Sequence, residues 1–89
     1  MENLNKKFIN IYPSIDLHGE YSDTVVFLIN DFINDNIKLG NKIVVIVHGK
    51  GSGILKDKVK EVLNNNPNVL QYALSVDNPG ATIVEIKCQ

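Results

Sequence analysis

Ile43-Val44-Val45-Ile46-Val47-His48-Gly49-Lys50-Gly51-Ser52-Gly53 is the stretch that decides the fold. Five consecutive β-branched side chains are stiff at χ1 and pack well on a pleated surface, and an unbroken apolar run reserves no face for water. The run therefore predicts a central strand, covered on both faces or paired along both edges. Glycines at 49, 51 and 53 end it. Leu55, Val59, Val62 and Leu63 then recur at helical spacing, so a helix is predicted from near Ser52 to the Asn64-Asn65-Asn66-Pro67 breaker.

Working outward toward the N-terminus, Val25, Leu28, Ile29, Phe32 and Ile33 mark an amphipathic helix that ends near Leu39, with Gly40 as a left-handed stop. Ser22 or Asp23 is the expected cap. Ahead of it, Ile15 and Leu17 alternate with Asp16 and His18 until Gly19, a short strand whose entry suits Pro13. Toward the C-terminus, 69–76 and 81–87 read as strands joined by Asp77-Asn78-Pro79-Gly80, a strong hairpin turn. The order β-α-β-α-β-β predicts an α/β two-layer sandwich: a mixed four-stranded sheet with two helices. Its first two strands are parallel through a right-handed crossover, and its last two are antiparallel. With only two helices, one sheet face is expected to have little cover. Residues 1–13 read as a polar lead-in and 14–89 as the domain.

The 89 residues suit one domain, since halves would be too small to bury a core, and 44% hydrophobic with 21% charged residues is ordinary globular composition. No run approaches the roughly 20 apolar residues of a membrane span, and Met1 to Lys7 lacks the apolar core of a secretion signal. The single cysteine, Cys88, has no second cysteine for a disulfide or a sulfur zinc site and is expected to be inert. Cytoplasm is the expected location. A net charge of -1 excludes a broad basic surface but not a local basic patch. Nothing in the chain specifies an oligomer.

Two segments carry chemistry. Asp16 and His18, two apart in a strand, project from one face; a carboxylate beside an imidazole serves general acid–base work or holds a divalent metal. The plain alternative is a pair of solvent-facing residues beside a turn. The second segment is the loop from His48 to Gly53, where glycines allow close backbone approach and a helix N-terminus offers unpaired N–H groups to an anion. Lys50 adds a charge and Ser52 a hydroxyl; the plain alternative is a structural tight turn. The carboxyl ends of parallel strands deliver both segments to one edge. A Walker A loop is excluded because no Gly-Lys precedes Ser or Thr, and Ile54 stands where a dinucleotide fingerprint needs its third glycine. No nucleotide cofactor is expected. Lys56, Lys58 and Lys60 extend the basic character, interrupted by Asp57 and Glu61; they read as a solvated helix face or as further phosphate contacts. Tyr12, Tyr21 and Tyr72 are candidates for base stacking or for core and rim packing.

Ile15-Asp16-Leu17-His18-Gly19 resembles the Leu-Asp-Leu-His/Arg-Gly motif that opens small MutS-related (Smr) domains. His48-Gly49-Lys50-Gly51-Ser52-Gly53 resembles their His-Gly-x-Gly-x-Gly motif, and Gly80-Ala81-Thr82-Ile83-Val84 their Gly-Ala/Val-Thr-x-Val strand. The resemblance covers about residues 14 to 87. It implies the β-α-β-α-β-β sandwich, akin to the C-terminal domain of bacterial translation initiation factor three. It also implies action on DNA or RNA, as a nicking endonuclease or as a binding module. Asp16, His18 and His48 are then the expected catalytic residues, and Gly49, Lys50, Gly51, Ser52, Gly53 and Lys56 the expected phosphate-binding ones. The scissile phosphate would rest on the N–H groups of 49–53. Asp16 would orient or deprotonate water, directly or through Mg or Mn held with His18, and His18 or His48 would protonate the leaving oxygen. The rival readings are a non-catalytic module for branched or structured nucleic acid, and a protein-interaction domain recognisable by an apolar patch on the open sheet face.

Overall fold

The computed structural model describes residues 3–87, so Cys88 lies outside the described residues. The apolar run forms β2 (Ile43–Val47), which is parallel to β1 (Ser14–Asp16) on one side. On its other side it pairs antiparallel with β4 (Ala81–Ile86), and β3 (Val69–Leu74) pairs antiparallel with the far edge of β4. The sheet order is β1-β2-β4-β3. β3 thus runs parallel to β2 across α2, and the hairpin return inserts β4 between them. This is the expected mixed four-stranded sheet.

Both helices, α1 (Ser22–Lys38) and α2 (Ile54–Asn65), lie on one face. Val25, Ile29 and Ile33 of α1 and Val59, Val62 and Leu63 of α2 meet Leu17 and alternate residues of the strands: Val44, Ile46, Val84 and Ile86. Alternation sends Val45, Ala81 and Ile83 to the opposite face. The continuous run in β2 is explained, since both its faces are buried. α1 stops as the sequence predicts. Gly40 takes φ +78, its N–H donates to the Ile37 carbonyl, and that of Asn41 donates to the Asn36 carbonyl at the helix end.

Three local expectations differ. The N-cap of α1 is Tyr21, with no side-chain cap bond, rather than Ser22 or Asp23. The start of α2 is Ile54, two residues past Ser52, because Gly53 at φ +89 holds the capping position. The third concerns the face away from the helices, which is not left open. Residues 3–12 make two 3-10 turns, Leu4–Lys6 and Ile9–Ile11, that bury Leu4 against Val45, Ala81 and Ile83, with Ile9 and Tyr12 beside it. Asn5 accepts the Val76 N–H at 2.9 Å, tying the segment to the end of β3. Its polar residues hide an apolar spacing too irregular to read as strand or helix. Among the described residues no helix is long and apolar enough to cross a membrane.

If this segment is part of the core, Leu4→Ala should cost about 2 kcal/mol, the low end for truncating a buried leucine. Phe8→Ala, at a residue 72% exposed, should stay within about 0.5 kcal/mol. Urea unfolding measures both; equal midpoints for the two variants would contradict the packing.

Candidate active site

β1 ends at Asp16, and the chain leaves the sheet through Leu17, whose N–H still donates to the Val47 carbonyl at 2.7 Å while its side chain is fully buried. That anchor leaves His18 beyond the strand rather than in it. The imidazole nonetheless meets the carboxylate: Asp16 Oδ1 accepts the His18 backbone N–H at 3.0 Å and lies 3.2 Å from Nδ1. The backbone bond, with the side-chain bond second, holds the Asp16 carboxyl below its ordinary pKa, so it is an ionised acceptor. Nδ1 is then the donor, and Nε2 has no partner among the described residues. Both side chains are open to water, 61% exposed for Asp16 and 75% for His18.

The glycine-rich loop begins where β2 ends. His48 and Gly49 both donate their backbone N–H to the Gly80 carbonyl, each at 2.9 Å, which ties the loop to the start of β4. The Gly49 N–H, expected among the phosphate donors, is therefore occupied. The N–H groups of Lys50, Gly51, Ser52 and Gly53 donate to nothing among the described residues. Ser52 Oγ accepts the Ile54 N–H at 3.4 Å at the entry to α2. A cavity of about 360 Å³ is lined by His18, Gly49, Lys50, Gly51, Ser52 and Lys56 among others, so the two segments meet at one place. A Cβ on Gly49 would sit 3.6 Å from that of His18, in ordinary contact.

His48 also lines this cavity, but its ring is held differently from that of His18. It is buried. Its Nδ1 lies 3.0 Å from the Gly49 carbonyl, which can only accept, and its Nε2 2.9 Å from Thr82 Oγ1. Nδ1 therefore carries the hydrogen and Nε2 accepts from the Thr82 hydroxyl. Burial lowers the His48 pKa, opposed by the Gly49 carbonyl and reinforced by Lys56, and the ring is held neutral. Sequence reasoning set the two histidines side by side as acids; their hydrogen bonds separate them.

Three participants were missed. Thr82 and Gly80 sit in the last motif, and neither residue type signals a site by itself. A Cβ on Gly80 would come within 3.1 Å of Gly49 backbone, so the close approach requires glycine. Glu20 lines the same cavity, legible only as a charge after a turn. As to metals, Asp16 and His18 are two donors, and no group of three His, Cys, Asp or Glu that could hold an ion occurs among the described residues.

The Smr domain model matches residues 15–87, most of the chain and all of this site. The chain belongs to the Smr domain family. It is 42% identical over 72 residues to endonuclease MutS2 of Helicobacter pylori, covering 81% of this chain and 9% of that protein. To endonuclease MutS2 of Halothermothrix orenii it is 36% identical over 81 residues, 91% of this chain and 10% of that protein. The Smr chain thus spans a small part of these relatives' length. The Smr domain of Thermus thermophilus MutS2 superposes with a TM-score of 0.81 at 23% identity, covering 84% of this chain and 98% of that one. YdaL, a stand-alone small MutS-related protein from Escherichia coli, gives 0.80 at 24% identity, over 85% and 67%. These two show a shared fold.

Thr82→Val should leave a buried imidazole nitrogen without its donor and cost about 1–3 kcal/mol, with Thr82→Ser recovering most of it in urea unfolding. Stability should also respond to acid through His48. The unfolded chain takes a proton near the ordinary value of 6.5 while the folded ring resists it. The contribution is thus complete above that pH and lost as pH falls through the lower folded value. A flat stability profile between pH 7.5 and 5.5 would contradict a neutral, buried ring.

Proposed function

We propose that this Smr domain binds nucleic acid at the loop and hydrolyses a phosphodiester there, with His18 as the group that moves the proton. The observation that carries the reading is His18, bonded from behind by Asp16, at the wall of a cavity that the amide-bearing loop also lines. A phosphate resting on the N–H groups of Lys50 to Gly53, at the positive end of α2, would have its growing charge offset by the Lys50 ammonium. Water attacks phosphorus, His18 Nε2 takes its proton, and the bond to the leaving oxygen breaks as solvent protonates that oxygen. Asp16, already bound to Nδ1, fixes the tautomer and stabilises the imidazolium; its lowered pKa makes it a better orienter than base. His48 is a positioning residue that holds the loop on β4. Lys56 lines the same cavity and adds a second cation.

One observation favours the binding-only alternative: the acid–base pair is mostly exposed, so water screens it. For the protein-interaction reading, Leu4, Ile9 and Tyr12 cover the sheet face it names, while Phe8 and Ile11 of the covering segment are exposed.

The test is nicking of supercoiled plasmid and structured RNA, with EDTA, Mg and Mn arms, beside electrophoretic binding. His18→Ala should slow cleavage by at least about 100-fold while binding persists, and Asp16→Asn should follow it. Lys50→Ala should weaken binding and reduce its salt dependence. Cleavage undiminished in His18→Ala rejects the assignment. Binding by the wild type with no cleavage in any arm supports the binding-only alternative.

A further inference from the structure

The loop cavity does not end at the loop. A second hollow, about 210 Å³, is lined by Lys50, Lys56 and Leu74, and a third, about 280 Å³, by Lys56, Lys60, Tyr72 and Leu74. Lys56 lines all three and Leu74 the second and third, so the hollows adjoin one another as a groove from the glycine loop along α2 and β3. Its two walls differ in chemistry. On α2, Lys56 and Lys60 are four apart, on one helix face and about 6 Å apart along the axis. Neither has an acidic partner among the described residues, whereas Lys58, on the opposite face, pairs with Glu61 at 3.5 Å. The β3 wall presents Leu74, which is exposed, and the half-buried Tyr72 ring, whose hydroxyl donates to Asn64 Oδ1 at 2.6 Å. That bond fixes the ring's edge.

We infer that this groove is a second subsite in which one extended strand of nucleic acid continues from the loop, its phosphates along Lys56 and Lys60 and its bases against Tyr72 and Leu74. The inference rests on the nucleic-acid reading of the loop. A cationic wall facing an apolar, aromatic one suits a single strand, which offers charge along one side and unpaired bases along the other. A duplex offers phosphates on its outside and no free base faces, and the basic residues here make a line rather than a surface.

Binding of labelled oligo-dT and oligo-U of two and eight nucleotides, and of an eight-base-pair duplex, across salt concentrations tests this with the full chain. Three lysine contacts predict a log–log salt slope of about -2 for the eight-mers, falling by about 0.7 in Lys60→Ala. Lys58→Ala removes the same charge from the other helix face and should leave the slope unchanged. Lys50→Ala should weaken both lengths, Lys60→Ala only the eight-mers. Equal effects of Lys58→Ala and Lys60→Ala, with Lys50→Ala still harmful, overturn the groove and leave the loop site standing. Duplex binding with the same Lys60 dependence overturns the single-strand assignment. No binding of any probe overturns both the groove and the reading it rests on.

Discussion

The Gly80 carbonyl accepts two backbone N–H groups, from His48 and Gly49, and the rest of the site depends on this pair of hydrogen bonds. It pins the end of β2 to the start of β4, so an exposed glycine loop is attached to the two central, buried strands of the sheet. Having spent the Gly49 N–H on the sheet, the chain turns away at φ +85, and only then are the next four N–H groups left without internal acceptors. Two residues on, Thr82 repeats the tie by donating to the His48 ring. Without this frame the loop would have to order itself around each anion, and that entropy would be subtracted from binding.

The two histidines show how environment divides one residue type into two states. His48 is buried, bonded at both nitrogens and neutral, so it has no free position through which to exchange a proton with a ligand. His18 is exposed, bonded at Nδ1 to an ionised carboxylate, and free at Nε2. A carboxylate that fixes the tautomer from behind while the far nitrogen faces the reacting group is the arrangement by which imidazoles shuttle protons. The local cause is short-range. Leu17 is drawn into the core, so the residues on either side of it face out and lean together over one turn.

Much of this was legible from residue patterns. The β-branched run at 43–47, the three-and-four spacing in both helices and the turn at 77–80 carry strong periodic or breaker signals, and each forms the expected element. The site was legible in place more than in role. Strand ends and glycines located it, because topology brings parallel carboxyl ends to one edge. What separated His48 from His18 was a bond to Thr82, thirty-four positions away, and no local pattern encodes a pairing across two strands. Residues 3–12 failed for a different reason. Leu4, Ile9 and Tyr12 reach the sheet through 3-10 turns, whose brief geometry leaves no repeat to detect.

Net charge and charge placement pull in different directions here, and the placement decides. A chain of net charge -1 gains little from generalised attraction to a polyanion. Three of its acids, however, stand apart from the loop: Asp23, Asp31 and Asp35 are exposed along α1, Asp23 and Asp31 beside Phe27 in a separate shallow hollow. Lys50, Lys56 and Lys60 lie along the loop and α2. Screening at physiological salt acts over about 8 Å, so a phosphate in the cavity responds to the nearby lysines more than to the acids of the other helix. Of the two acids close by, Asp16 is bonded to His18, and Glu20 lines the cavity itself. It would repel a phosphate that drifted toward the acid–base pair and favour one held against the loop amides. A weakly acidic domain can thus be selective in orientation. On the nucleic-acid reading, generalised adhesion would be weak, and a strand entering the groove would be aligned by the few cations it meets.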